Sequence, residues 1–324
     1  MWDKFTKKSI FSIVVGIVGA FILLYGVSFG LLAFLAGRAY SATNYNSAET
    51  QYRVIILLNP WAKTAYARLG FIELRKNNDV VAALQHNTPL TRISTFYKSA
   101  LYSERAIELG LQKAWVYQNA AFAYDNLYVR ISRDVSPSST KEKTEKTKEF
   151  YKAKAISYYG KALKLVPDKG ALLNNLGSIY YQEKDYERAI PYLKKAAELD
   201  KSDGRLRALL GFTYMELGNP TLAIQYLNET IALNYKNYFS PSLVHAWKGR
   251  AHLALKEYDR AIDELNKALD LESSRLPFAY FWRASSYFAK QQMPEARHDL
   301  ESYLRLAPGS FYADDAKTML KSIK

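Results

Sequence analysis

The side chains that most often carry catalysis are scarce in this sequence. There is no cysteine, which excludes disulfides, thiolate nucleophiles and cysteine metal sites. Of the four histidines, His245 and His252 are seven residues apart and would share one helix face. Such a pair lacks the third ligand and open position of a catalytic zinc site. No HExxH motif, phosphate-binding glycine loop or nucleophile elbow occurs. The sequence therefore predicts no enzyme, no catalytic residue, no cofactor and no metal.

The composition favours helices as the elements that position any binding residues. Nearly half of the 324 residues are apolar and 26 are tyrosine, which is too aromatic for a disordered chain. Only 15 glycines and 10 prolines occur, fewer than a β architecture with many turns would need. The net charge of +14 allows attraction to anionic surfaces without specifying a fold or a reaction.

Residues 10–36 form a stretch of 27 residues without a charged side chain. About 20 apolar residues are enough to cross the hydrocarbon core of a bilayer, whereas the apolar part of a signal peptide has roughly 7–15. We therefore predict a single transmembrane helix at 10–36 after a short cytoplasmic segment, 1–9. The alternative is a removed signal peptide with a cleavage site at Gly37–Ala39.

Flanking charges predict the orientation of this helix. Three lysines precede it and two arginines follow it, which favours an N-terminus inside and the rest of the chain outside an inner, cytoplasmic membrane. A cytosolic domain on a eukaryotic organelle is the competing interpretation. Gly26 and Gly30 form a small-xxx-small pair that could bring two copies together as a homodimer. The flanking residues are Lys4, Lys7, Lys8, Arg38 and Arg53.

A pattern of small and apolar residues recurs four times in the second half of the chain. A glycine or alanine in one predicted helix would let a second helix approach closely, and an aromatic residue three positions later would fill the space beside it. Because one helix pair cannot bury its apolar face alone, such pairs must stack. The recurring small residues are Gly177, Gly211, Gly249 and Ala284 in the first helix, and Ala189, Ala223, Ala261 and Ala296 in the second.

The segments "NNLGSIYYQEKDYERAIPYLKKAAEL" and "ALLGFTYMELGNPTLAIQYLNETIAL" resemble the tetratricopeptide repeat, a helix–turn–helix unit of about 34 residues. The resemblance implies an all-α protein in which antiparallel helix pairs form a right-handed solenoid, here over 41–310. The clearest repeats are predicted at 170–203, 204–237, 242–275 and 277–310. A split repeat is predicted at 114–169, with a charged insertion at 132–148, and a capping helix at 311–324.

The resemblance also implies where a partner would bind, because members of this family hold a peptide or helix in a concave groove lined by the first helices. Aromatic residues and arginine, which dominate binding hot spots, are frequent at the corresponding positions. Packing against neighbouring helices is the alternative role for each of them. The predicted groove residues are Trp115, Gln118, Phe122, Asn174, Ser178, Tyr181, Arg205, Phe212, Met215, Arg250, Leu253, Phe278, Phe281 and Phe288.

The leading functional hypothesis is a membrane-anchored scaffold that binds a protein partner in this groove and reaches the lipid bilayer through residues 10–36. The carboxylate-gripping residues of the co-chaperone subfamily are absent, since Asn174, Ser178, Leu209, Leu243 and Trp247 occupy those positions. That departure argues against a receptor for chaperone tails. The alternative function is a basic surface that binds an anionic polymer or lipid head groups of the cell envelope. Nucleic acid is not expected as a partner.

Overall fold

The structure is a computed structural model that describes residues 30–31, 33–41, 44–79, 89–134, 141–233, 239–272 and 275–323. Most of the predicted transmembrane stretch, including Gly26, lies outside these residues. Among the described residues, no helix is both long and apolar enough to cross a bilayer.

The described residues form helices joined by turns, without a strand, and they divide into two compact units. The first unit ends at Pro167. Residues 33–41 are helical and precede five helices. These are α1 (Tyr45–Leu58), α2 (Lys63–Asp79), α3 (Pro89–Glu108), α4 (Ala114–Asp134) and α5 (Lys141–Leu165). The later part of the predicted charged insertion thus belongs to the start of α5.

The second unit begins at Asp168 and contains four helix pairs and a final helix. The pairs are α6 (Gly170–Gln182) with α7 (Tyr186–Leu199), α8 (Gly204–Glu216) with α9 (Pro220–Ala232), α10 (Pro241–Ala254) with α11 (Tyr258–Glu272), and α12 (Pro277–Ala289) with α13 (Met293–Leu306). The final helix is α14 (Ala313–Ser322), which packs on α13.

Turn chemistry separates the two helices of each pair. The turn residues Lys184, Gly218, Lys256 and Gln291 all have positive φ angles, between 60° and 72°. Glycine adopts this conformation at little cost, whereas the other three side chains hold a disfavoured one. Two second helices then begin with a side-chain cap: Asp185 accepts from the backbone N–H of Arg188, and Asn219 accepts from that of Leu222.

The recurring glycines bring the paired helices into close contact, as the sequence predicts. A Cβ added at Gly177, Gly211 or Gly249 would lie 2.8, 2.7 or 2.5 Å from a leucine side chain of the second helix. The leucines are Leu193, Leu227 and Leu265, and all three are fully buried.

Successive pairs stack so that first helices meet. In the second unit α8 packs on α10, and α10 packs on α12, in addition to the contacts inside each pair. In the first unit α2 similarly packs on α4. The first helices α8, α10 and α12 of the second unit, and α2 and α4 of the first, therefore lie side by side, and the predicted groove residues lie on first helices.

Candidate functional site

The first helices of the second unit bring together a group of aromatic and charged side chains that we call the aromatic–arginine cluster. Three consecutive first helices, α8, α10 and α12, supply most of it, and α6 adds one tyrosine. Its members are Tyr181, Glu216, Trp247, Arg250, Phe278 and Trp282.

An ion pair joins two neighbouring repeats at the centre of this cluster. Arg250 on α10 donates from Nη1 to Oε1 of Glu216 on α8 at 2.6 Å. Both side chains are partly buried, so the pair is less screened than one on the open surface. The pair fixes the guanidinium group between two helices and leaves part of it exposed to a ligand.

Two tryptophan rings flank the same guanidinium group. The Cζ atom of Arg250 lies 4.8 Å from the ring centroid of Trp247 and 5.4 Å from that of Trp282. At such distances the positive charge is attracted to the π faces. The tryptophan centroids are 6.0 Å apart with ring planes at 65°, an edge-to-face contact between α10 and α12. Phe278 extends the aromatic surface, 4.7 Å from Trp282.

Tyr181 closes the cluster on the side of α6. Burial is the main cause that raises the pKa of its hydroxyl to about 12, and the nearby Glu216 carboxylate and Tyr186 add to it, while Arg250 opposes them. The hydroxyl is therefore protonated at neutral pH and can donate a hydrogen bond. Its ring lies 5.7 Å from that of Tyr186, which begins α7.

This arrangement suits recognition of a peptide more than bond-making chemistry. It offers the half-buried rings of Trp247 and Phe278 for an apolar anchor, a guanidinium for an acidic or carbonyl group, and a carboxylate and hydroxyl for polar contacts. Within the described residues, no group of histidine, aspartate and glutamate side chains is arranged to hold a metal ion.

The predicted groove residues of the second unit divide by burial. Asn174, Phe212, Met215 and Phe281 are buried, so their side chains contribute to packing in this structure. Phe212, for example, contacts Phe239 and Trp247 with centroids at 5.1 and 5.0 Å. The half-buried residues, which a partner could reach, are Ser178, Tyr181, Arg205, Arg250, Leu253, Phe278 and Phe288.

The predicted groove residues of the first unit are half-buried on α4. The guanidinium of Arg68 lies 5.2 Å from the ring centroid of Trp115, which joins α2 to α4. Phe122 contacts Phe96 at 6.5 Å, and Gln118 lies between the two aromatic positions on α4. These residues form a smaller aromatic surface than the cluster of the second unit.

Two tryptophans of the cluster, Trp247 and Trp282, are absent from the predicted groove residues. A signal for the tryptophans was present, because both stand two residues before the small residue of their first helix and are 35 residues apart. The ion pair of Glu216 with Arg250 could not be found in this way, since it depends on the contact between α8 and α10.

A stack of helix pairs with a binding face on its first helices defines the class of helical-repeat scaffold proteins. Family models described as tetratricopeptide repeat match residues 180–239 and, separately, residues 152–204 and 248–311. The chain therefore contains tetratricopeptide repeats. No curated protein sequence matches it.

Solved structures with the same fold include two that span most of this chain. The C-terminal part of a tetratricopeptide-repeat protein from Cytophaga hutchinsonii matches with a TM-score of 0.54 at 14% identity, over 87% of this chain and 98% of the other. PilF of Pseudomonas aeruginosa matches with a TM-score of 0.50 at 18% identity, over 79% of this chain and 97% of the other. At these identities the likeness concerns the fold alone.

Proposed function

We propose that this protein is a membrane-anchored scaffold whose second unit binds a segment of a partner protein along its first helices. The observation that carries the proposal is the aromatic–arginine cluster. It combines tryptophan, tyrosine and arginine, the residue types that contribute most to protein–protein affinity. The uncharged stretch at residues 10–36 would hold the scaffold at the bilayer.

The cluster is preorganised for binding. The ion pair with Glu216 and the two tryptophan faces already order Arg250 before a ligand arrives. A partner therefore loses less binding energy to side-chain ordering, which costs about 0.5–1.5 kcal/mol for a flexible side chain. An extended or helical segment with an apolar residue next to an acidic one is the ligand that this surface fits.

Ion pairing also weakens the alternative of a basic surface for anionic polymers. Several cationic groups of the second unit face carboxylates at 2.6–3.3 Å, so their charge is largely neutralised locally. They include Arg207 with Glu229, Arg250 with Glu216, and Arg283 with Asp299. The proposal of a protein partner does not need the net charge.

Site-specific photo-crosslinking in the native membrane tests this proposal. A photoreactive amino acid would replace Tyr181, Leu253 or Phe278 on the first helices, or the exposed Lys194 and Gln225 on second helices as controls. We expect one protein to be captured from all three first-helix positions and from neither control. Equal capture from the second helices would contradict the proposed binding face.

A charge variant then tests the cluster itself. Arg250→Ala should reduce the crosslinking yield from Phe278 at least about tenfold, because truncation of a hot-spot side chain costs about 2 kcal/mol or more and about 1.4 kcal/mol is a factor of ten in affinity. Arg260→Ala is the matched control, since that arginine is exposed on α11 with Glu257 as its ion-pair partner. An unchanged yield in Arg250→Ala, at normal expression, would remove the cluster from the binding site.

A further inference from the structure

An exposed apolar face occurs on α1, opposite the side that enters the core. Ala48, Tyr52 and Ile55 point into the core of the first unit. Leu57 is 80% exposed, Val54 lies three residues before it, and Trp61 in the following turn is 73% exposed. Val54 and Leu57, three residues apart on α1, share one side of the helix, and Trp61 follows in the turn after Leu58. Large apolar side chains aligned on an exposed face mark an interaction surface.

This face adjoins the residues that complete the uncharged stretch 10–36. Ala36 is fully buried in the same core cluster as Ile55, and Ala33 lines a surface cleft together with Trp61. Leu31, Phe34 and Leu35 on the neighbouring helical residues are themselves exposed. Trp61 of this face therefore lies beside the last residues of the uncharged stretch, which are themselves exposed and apolar.

The length of the uncharged stretch 10–36 indicates that the bilayer surface covers this end of the first unit. Its 27 residues would extend about 40 Å as a helix, at about 1.5 Å per residue. The hydrocarbon core is only about 30 Å thick, so the last turns would emerge into the head-group region. Helix α1, which packs beside those turns, would then lie at the bilayer surface.

The charge and the residue types of this region also favour contact with a lipid bilayer. Tryptophan favours the head-group level of a membrane, and basic side chains near an anionic leaflet add about 1 kcal/mol each. The part of the chain from 31 to 76 carries six basic residues and two acidic ones. The basic residues are Arg38, Arg53, Lys63, Arg68, Arg75 and Lys76, and the acidic ones are Glu49 and Glu73.

From these observations we infer that the face formed by Val54, Leu57 and Trp61 is a second membrane contact that lies in the head-group region of the bilayer. The inference rests on the proposed membrane anchor. It adds that the first unit is held against the lipid surface along α1 and is not merely tethered by a flexible segment.

Spin-label depth measurements on the full chain in nanodiscs that contain phosphatidylglycerol test the inference. The absence of cysteine makes each introduced cysteine a unique labelling site. The test variant is Leu57→Cys, the anchor variant is Val18→Cys, and Glu108→Cys is the control at an exposed polar position of the same unit. The readout is accessibility to oxygen relative to a water-soluble nickel complex.

We expect this ratio to be several-fold higher at position 57 than at position 108, and highest at position 18. A water-like ratio at 57 with a lipid-like ratio at 18 would overturn the inference and leave the anchor intact. Water-like ratios at both would overturn both proposals. A label at 57 that is immobile and shielded from both reagents would also overturn the inference, since it would indicate contact with a protein partner or a second copy.

Discussion

Replacement of Glu264 by glutamine should weaken the contact between α10 and α11 in a pH-dependent way. The carboxylate is buried and lies 2.7 Å from Nδ1 of His245, 3.1 Å from Nζ of Lys248 and 2.9 Å from Nζ of Lys267. Burial alone would raise its pKa. The hydrogen bonds from His245 and Lys267, together with the charge of Lys248, outweigh burial and lower the pKa to about 2 from the ordinary 4.5.

The size and sign of the effect follow from the difference between the ordinary pKa of 4.5 and the lowered pKa of about 2. One pKa unit corresponds to about 1.4 kcal/mol, so the ionised carboxylate contributes about 3 kcal/mol to the folded state. A depressed carboxyl pKa stabilises the protein above pH 4.5, and that contribution is lost as the pH falls from about 4.5 toward 2. Glu264→Gln removes the charge at every pH.

Hydrogen exchange read by peptide is the suitable assay, because repeat proteins often open locally and not in one step. At pH 7 we expect peptides of α10 and α11 to exchange up to about a hundredfold faster in Glu264→Gln, which is the equivalent of about 3 kcal/mol. The difference should shrink as the pH falls below 4. Asp263→Asn, at an exposed position beside it, is the control.

Two results would refute this reasoning. Equal exchange of the variant and the natural protein at pH 7 would mean that His245, Lys248 and Lys267 do not stabilise the carboxylate. A difference that stays constant from pH 7 to pH 3 would mean that the glutamine acts through packing and not through charge.

Two further predictions concern stability. Burial raises the pKa of Asp125 to about 6 despite a hydrogen bond from Tyr159 at 3.3 Å, so its ionised form costs stability above pH 6. Asp125→Asn should therefore raise the free energy of unfolding, measured by urea titration at pH 7.5, by up to about 3 kcal/mol, and this gain should disappear near pH 4. No gain at pH 7.5 would contradict the burial argument. Gly249→Ala should destabilise by about 1–3 kcal/mol, because the new Cβ would lie 2.5 Å from Leu265. Gly160→Ala, where nothing lies within 4 Å, should instead stabilise α5 by up to about 1 kcal/mol, and calorimetry of both variants would check the contrast.

The pairing of helices could be predicted from the sequence because it depends on local spacing. A small residue in one helix and a leucine in the next recur at steps close to the length of a helix pair, so their contact is implied by each repeat alone. The contacts between Gly177 and Leu193 and between Gly211 and Leu227 are the result. His252, at the aromatic position of its repeat, is buried as that register predicts.

The proposed binding face was less predictable, because it depends on how neighbouring repeats meet. The place of a residue in the repeat pattern indicates that it belongs to a first helix. Whether its side chain is accessible depends on the size of the residues that the next repeat packs against it. Phe212 is buried because Phe239 and Trp247 cover it, whereas Phe278 remains half-buried beside Trp282. The ion pair that orders Arg250 likewise depends on a residue one repeat away.

One position in the second helix of each repeat is occupied by a tyrosine in some repeats and by an acidic residue in others. It lies three residues after the recurring alanine, and in the first two repeats it is a tyrosine that stacks on a first-helix tyrosine. The ring centroids are 5.7 Å apart for Tyr180 and Tyr192, and 5.5 Å apart for Tyr214 and Tyr226.

In the last two repeats the same position is an acid, Glu264 or Asp299, and a cation of the first helix pairs with it. Lys248 and Arg283, the cations, both stand one residue before the recurring small residue, and Arg283 binds Asp299 with two bonds of 2.7 Å. In the first helix the cation stands one residue before the recurring small residue and the tyrosine three residues after it. Helix positions four residues apart face the same way, so both side chains reach the same place on the second helix. The repeats thus fill one interhelical site with either of two chemistries. Because only the second chemistry depends on ionisation and the pKa of Glu264 is lowered to about 2, acid near pH 2 should loosen α10 from α11 while the tyrosine-paired helices α6–α9 keep their contacts.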